Sequence, residues 1–321
     1  MGYWQSSMIA LARNRKVGTA MHHLAGGTAL ARRFVAIGDA AAAVVEARRL
    51  QARMGIGATL CALGEYVTDA AAVERTVEVS AEAARRLHAA GLEVRVSADP
   101  TAIGLLISEA ICHRNAERIA EAVAGAGADP WTRLILDMED LSTVEPTLRL
   151  HAGLLARGLP VGLTLQARLL RCEADLRPLL SRRTAVRLVK GAFPLGSAQD
   201  HQGRADIRRA YLGLARSMLS PEAHDAGLLP IFATHDELLV DAVTRMARGG
   251  GWRDGEFELE MLYGVRPAWQ QQLRAAGRSV RAYLPFGMEW WPYAIRRVGE
   301  HPRNSLLLAR ALLERGYRST T

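Results

Sequence analysis

Along most of this chain, short apolar runs alternate with longer stretches whose apolar residues recur with helical period. The runs cover residues 57–63, 92–96, 134–137, 161–165, 186–189, 230–233, 257–261 and 280–284. Between them lie helix-compatible stretches such as 70–90, 108–126, 144–157, 207–219, 236–248 and 268–276. Short continuous apolar runs bounded by turn residues predict strands buried on both faces, as in a parallel sheet. Strand followed by helix, eight times over about 250 residues, is the count and length of a closed (β/α)8 barrel, so the chain is assigned to the α/β class as a TIM-type barrel. An open doubly wound sheet is the runner-up, but no G-x-G-x-x-G motif follows the first run. Residues 30–49 are rich in Ala and Arg, and Asp39 is placed to cap the second part of that helical stretch. The expected organisation is an N-terminal helical segment, 1–50, packed on a barrel of residues 51–321.

The stretch RAYLPFGMEWWPYAIRRVGE, 281–300, carries the most pointed pattern. It predicts a strand ending at Tyr283, a turn through Pro285 and Gly287, and a helix opening near Pro292, since proline suits a first helical turn. Tyr293, Arg296, Arg297 and Glu300 then fall on one helix face. Two guanidiniums, a phenol and a carboxylate make a poor core stripe. They make either a solvated polar face or a receptor for a small acid, because Arg presents a planar fork matched to a carboxylate.

Composition excludes more than it selects. The 321 residues are 49% hydrophobic and 23% charged, the profile of an ordinary globular protein. The net charge of +8 comes from 41 basic and 33 acidic residues, and only Lys16 and Lys190 are lysines. The arginines are scattered, with no basic run and no interleaved aromatics, which argues against nucleic-acid binding. A positive balance still suits an anionic substrate, an anionic cofactor or a membrane surface. Cys61, Cys112 and Cys172 lie far apart without metal or disulfide spacing. There is no secretory leader core and no apolar run of about 18 residues, so a cytoplasmic location is expected.

Polar residues gather at the predicted strand ends: Glu65 after the first, Asp99 after the second, Asp137 ending the third and Gln166 after the fourth. Arg187 and Lys190 follow on the fifth, Thr234 and His235 after the sixth, Glu260 on the seventh and Tyr283 on the eighth. Each alone is more often satisfied by a nearby amide than catalytic. All eight strands contributing one points to a polar ligand over the barrel mouth, since buried charge has to be paired or bound. A metal centre is the weaker reading, because only His235 of the nine histidines sits at a strand end; the others are expected at the surface.

From about Arg33 to Ser305 the chain resembles the proline dehydrogenase family, flavin-dependent (β/α)8 enzymes that oxidise proline to pyrroline-5-carboxylate. The resemblance rests on FVAIGD, LGE, LDMED, TLQARLLR, VRLVKGAF, FATHDE, MLYG and YLPFG followed by YAIRRVGE. VRLVKGA and the YxxRRxxE helix are its most specific parts. It implies that Arg296 and Arg297 bind the substrate carboxylate, with Glu300 on their helix. Tyr283, Tyr293 and Leu262 would wall the substrate, and Glu65 would pair with Arg296 and gate the mouth. Asp137 would order the site beside Arg187 and Tyr283. Gln166, Arg187, Val189, Gly191, Ala192, Thr234 and His235 would line FAD. It also implies a second electron acceptor, usually a membrane quinone, and so transient contact with the inner membrane. No metal is implied.

Three positions depart from the family pattern. Asp99 stands where a lysine is usual, Phe193 where a tyrosine is usual, and Glu260 where a glutamine is usual. One reading is a true proline dehydrogenase in which Asp99 pairs with a nearby arginine such as Arg95. The other is a changed substrate, still a small acid but with an extra nitrogen facing Asp99 or Glu260, such as a hydrazino acid or another secondary amine. A non-catalytic small-acid-binding barrel and a metal-dependent hydrolase stay open as more distant alternatives.

Overall fold

The structure is a computed structural model of the chain and describes residues 32–64, 66–127, 129–191, 198–291 and 293–295. Eight parallel strands close in chain order: β1 Gly57–Ala62, β2 Arg95–Ala98, β3 Arg133–Leu136, β4 Val161–Gln166, β5 Ala185–Val189, β6 Leu229–Ala233, β7 Glu258–Leu262 and β8 Val280–Phe286, with β8 pairing back to β1. The described helices are α1 Ala40–Met54, α2 Ala70–Ala89, α3 Glu109–Ala124, α4 Leu141–Ala156, α5 Cys172–Leu176, α6 Arg204–Met218, α7 Pro221–Asp225, α8 Glu237–Gly249 and α9 Pro267–Ala275. This is the expected TIM-type barrel.

Local chemistry starts the helices where the pattern placed them. Side chains of Asp39, Asp69, Ser108, Asp140 and Ser220 each accept a hydrogen bond from a first-turn amide, satisfying donors that the helix leaves open. Helix α1 packs on β1, β8 and α2, so it fills the outer ring beside the last strand. The segment before it is pinned to the barrel's C-terminal end: Ala36 bridges to Phe286, and a Cβ at Gly264 would lie 1.6 Å from the Arg33 carbonyl oxygen. Only glycine lets the chain pass there.

Three expectations need correcting. The run 92–96 begins too early for β2, because Leu92 still belongs to the end of α2: its amide donates to Leu87 O at 3.0 Å while Gly91 donates to His88 O, the paired bonds of a left-handed helix stop. Strand β8 runs past Tyr283 to Phe286, since β1 pairs with it as far as Ala62↔Phe286. Its pairing with β7 has by then ended at Tyr283, so Pro285 interrupts no ladder bond on that side. His151 is not a surface residue. It is 1% exposed on α4, with Nε2 3.0 Å from Thr184 Oγ1. The Thr184 hydroxyl donates to Val161 O, so His151 must be the donor to it. Burial pushes the imidazole down to about 4, keeping it neutral.

The apolar face of every strand meets the helices. The barrel interior is different. Among the described residues, Ile135, Ala185 and Ile231 form a small apolar plug there, with Trp131 and Leu229 packed on it. At the N-terminal floor Glu258 accepts from both Arg95 and Arg281, and Arg281 also pairs with Glu93. The opposite end holds a second polar cluster.

Candidate active site

Hydrogen bonds between strands that are not neighbours define which residues point inward at the C-terminal end. Arg187 on β5 reaches β3 and β7. Its Nη1 lies 2.5 Å from Asp137 Oδ1, and its Nε lies 2.5 Å from Glu260 Oε2. The Nε contact pairs charges at an angle too poor for a hydrogen bond, whereas Nη2 donates to Glu260 Oε1 at 3.4 Å. Nη1 also donates to Ser97 Oγ at 3.0 Å. Asp137 gathers further donors: Tyr283 Oη and Ser97 Oγ at 2.8 Å, both to Oδ2, and Thr164 Oγ1 at 3.0 Å to Oδ1. Glu260 Oε1 accepts from Thr59 Oγ1 at 2.6 Å. The Arg187 guanidinium also lies 5.1 Å from the Tyr283 ring centroid, within cation–π range.

Charge and burial fix the protonation states. Arg187 is 2% exposed. Burial works against its charge, but Glu260 and Asp137 more than offset that and raise it above the usual guanidinium range. Burial raises the Tyr283 phenol well above its ordinary value, and Asp137, Cys61 and Asp99 add to this, so the hydroxyl stays a neutral donor. The Cys61 thiol is raised by the same causes, burial first and then Asp99 and Asp137. It behaves as an inert small side chain. Asp99, half-buried just beyond β2, therefore lies close enough to this cluster to act on both groups. Arg95 does not neutralise it: that guanidinium is on the barrel floor, bonded to Glu258 and to Trp131 O. Four residues of strand, about 13 Å, separate the two positions.

A second group of predicted residues meets around β4, β5 and β6. Gln166 Nε2 donates to Met138 O at 3.0 Å and Glu139 O at 2.6 Å, while its buried Oε1 has no hydrogen-bond partner. Gly191 has φ +98°, and a Cβ there would come 2.8 Å from that same oxygen. Val189 pairs with Gln166 across the ladder. Thr234 is buried, and its amide donates to Glu260 O at 3.2 Å. Leu262 donates its amide to His235 Nε2 at 2.9 Å. Nε2 is thus an acceptor, which leaves the imidazole proton on Nδ1. Beside this group, Lys190 and Arg208 both bond Asp236. Burial would raise the Asp236 carboxyl, but these two cations hold it at about 2.

An orphaned acceptor next to a place that admits no side chain fits a flat ring carrying an N–H, and so fits a flavin. Tyr293 is buried in the first turn after β8, where Ala294 N donates to Trp290 O at 2.9 Å. Glu65, Ala192, Phe193, Arg296, Arg297 and Glu300 lie outside the described residues. Sequence reasoning missed Thr59, Ser97 and Thr164. Parity was the available signal for two of them, since Ser97 lies two residues from Asp99 and Thr164 two from Gln166; Thr59 has no such neighbour on its strand. Among the described residues, no three His, Cys, Asp or Glu side chains gather as metal ligands, and no helix is long and apolar enough to cross a membrane.

Residues 43–310 match the family model described as Proline dehydrogenase. The chain is 33% identical over 290 residues to "Proline dehydrogenase" of Deinococcus radiodurans, covering 89% of this chain and 90% of that one. It is 29% identical over 290 residues to "Proline dehydrogenase 1" of Bacillus subtilis strain 168, covering 90% and 93%. Among solved structures, proline utilization A from Bdellovibrio bacteriovorus, inactivated by N-propargylglycine, superposes with a TM-score of 0.75 at 20% identity, covering 85% of this chain and 32% of that chain. Proline utilization A from Corynebacterium freiburgense gives 0.67 at 19%, covering 98% and 34%. These two show the fold, and the present chain spans about a third of their length.

Proposed function

The chain belongs to the proline dehydrogenase family of oxidoreductases, and from that premise we propose that it holds FAD and oxidises a small amino acid to an imine, with L-proline going to 1-pyrroline-5-carboxylate. The observation that carries the reading is the partnerless buried Gln166 Oε1 beside Gly191, one side-chain layer beyond Arg187. Gln166, Val189, Gly191, Ala192, Thr234 and His235 would hold the ring. When bound, the flavin supplies the two-electron acceptance that no side chain offers.

The chain's own part is positioning and electrostatics. Arg296 and Arg297 would grip the substrate carboxylate in their forks. Glu65, paired with Arg296, would close the mouth, and Glu300 would support that helix face. Leu262, Tyr283 and Tyr293 would wall the substrate. Asp137 fixes Tyr283 and Arg187 in place, and Arg187 would stabilise negative charge as it develops. The substrate nitrogen must be neutral when hydride leaves the neighbouring carbon. Residues 1–50 would form a segment packed on the barrel of 51–321, and the placement of α1 on β1 and β8 supports this.

A specific observation favours a second substrate class. Asp137 and Glu260 put two buried carboxylates on Arg187, the one buried arginine of the described part of the mouth. A substrate with a further nitrogen donor, such as a hydrazino acid or another secondary amine, suits that charge. A binding barrel without turnover is the remaining alternative.

The acceptor we propose is of the quinone class, reached at the cytoplasmic side of the inner membrane. Tyr66, Leu106, Ile107, Leu170, Leu238 and Met288 are exposed, and all follow strand C-terminal ends in loops or a first helical turn. An apolar rim on that face supports transient bilayer contact.

The test is optical. Purified protein should show flavin bands, and anaerobic proline should bleach them with release of a trappable pyrroline. Bleaching by a hydrazino or N-alkyl amino acid but not by proline would favour the second class. A colourless protein that takes up no FAD would sink both.

A further inference from the structure

The two carboxylates on Arg187 are not equivalent. Asp137 is held by four donor groups, namely Arg187, Tyr283, Ser97 and Thr164. Glu260, whose side chain is 1% exposed, accepts from Thr59 and meets the Nε and Nη2 edge of Arg187 directly, with the Arg95 guanidinium of the floor acting on it only at longer range. Asp137 thus has neutral partners enough to stay in place without help, while the main electrostatic act of Glu260 is to cancel Arg187. One guanidinium between two carboxylates leaves the buried cluster with a formal charge of −1. Burying uncompensated charge is unfavourable, so its retention next to a candidate cofactor place calls for a reason.

The strand register gives that reason a location. Thr164 is paired with Arg187, and Gln166 with Val189. The partnerless Gln166 oxygen therefore belongs to the layer of side chains two residues, roughly 7 Å, beyond Arg187. Whatever satisfies that oxygen sits within the field of Arg187, in a region where salt screens little. Two-electron reduction adds negative charge to a flavin. An arginine free to act on it favours that change, and one cancelled from the side of β7 favours it less.

We propose that Glu260 is a positioning residue for charge: by neutralising Arg187 it lowers the electron affinity of the flavin held beside it. The inference rests on the FAD reading above. Its consequence is an enzyme biased toward substrates that yield electrons readily and toward onward delivery to the acceptor.

The experiment compares midpoint potentials of the FAD-loaded native protein with Glu260→Gln, Glu260→Leu and Glu260→Asp, each equilibrated anaerobically against a reference dye. Both uncharged variants should shift the equilibrium toward reduced flavin by at least about tenfold, about 30 mV for a two-electron couple. Two uncharged variants keep the result independent of either one folding. Glu260→Asp keeps the charge and should stay within about threefold of native, an order-of-magnitude bound on the same scale. Unmoved potentials in the uncharged variants, or an equal shift in Glu260→Asp, would overturn the proposal and leave a packing role. A native protein that neither carries nor takes up FAD overturns the functional reading as well, whereas a flavoprotein indifferent to loss of this carboxylate overturns this inference alone.

Discussion

The barrel buries arginine–carboxylate clusters at both ends, and they are built to different ends. On the floor, Arg95 and Arg281 share Glu258, Arg281 also takes Glu93, and the remaining donors reach the carbonyls of Trp131 and Ala58. Two cations and two anions balance, and the protein itself closes the set. At the mouth, Arg187 stands between Asp137 and Glu260 with Asp99 nearby, and the Gln166 oxygen of the next layer has no partner. The same strands supply both clusters: Glu258 and Glu260 are two residues apart on β7, as are Arg281 and Tyr283 on β8. A buried charge set that is complete holds a fold together. One that is left with excess charge and an open acceptor contributes less to the fold and suits the cofactor proposed for it.

The largest expected effect breaks the floor. Glu258→Gln should leave two buried guanidiniums without a carboxylate between them and cost about 3–5 kcal/mol, the usual cost of unpairing a buried ion. Urea unfolding of the variant would measure it, with the flavin bands of the surviving folded fraction unchanged. Acid reaches the same contact. Burial would raise the Glu258 carboxyl, but Arg281 and Arg95 hold it at about 2 against an ordinary 4.5. A depressed folded value means the contribution is present above the unfolded value and is lost as pH falls from about 4.5 to about 2. The native protein should therefore lose stability in that window, and Glu258→Gln should lose less of it.

Arg187→Met applies the same logic at the mouth and should give the opposite split. Tyr283, Ser97 and Thr164 still bond Asp137, and Thr59 still bonds Glu260, so the fold should survive better than after loss of Glu258. Turnover should fall by on the order of 10²–10³, the size of losing one preorganised charge partner in a transition state. Stopped-flow reduction of the loaded variant would read it. A variant that unfolds like Glu258→Gln while reducing at the native rate would mean that the two clusters do the same job.

How much of this was legible in the sequence follows from which face a residue serves. The helix-facing sides of the strands are apolar, as with Leu60, Val96, Leu136, Leu163, Leu188 and Leu259. That made the eight runs visible and the barrel derivable. The interior faces are polar, and their members looked like strand ends or ordinary strand formers. Thr59 is a β-branched residue that any strand favours, and nothing in its local sequence marks a hydroxyl aimed across a barrel; Thr164 had only its parity with Gln166 to mark it. Asp137, Arg187, Gln166 and Tyr283 stand out as polar residues at strand ends, and the family resemblance supplies their roles. Closeness in sequence suggests Arg95 as a partner for Asp99, one of the two readings of that position, and the structure places Arg95 on Glu258 instead. Period two puts Arg95 and Asp99 on one face, but rise along the strand puts them at opposite ends.

Tyr283→Phe sharpens the comparison at smaller scale. It removes one donor of several from Asp137 and keeps the ring under Arg187. A neutral donor lost to a carboxylate should cost about 1–3 kcal/mol. Because Asp137 orders the mouth and not the floor, the loss should appear in kcat/KM more than in the unfolding midpoint.

The smallest effect concerns a pair outside both barrel clusters. Asp236 is held at about 2, against an ordinary 3.8, by Lys190 and Arg208, whose side chains are 40% and 43% exposed. By the same sign rule its contribution is present above 3.8 and is lost as pH falls toward about 2. Water and salt reach these partners, so Asp236→Asn should cost no more than about 1 kcal/mol, and 1 M salt should erase most of that. The Glu258 contribution, shielded on every side, should barely respond to the same salt. Equal salt sensitivity of the two variants in paired urea titrations would show that burial is not what separates the floor from the surface, and the contrast drawn between closed and open charge sets would lose its physical basis.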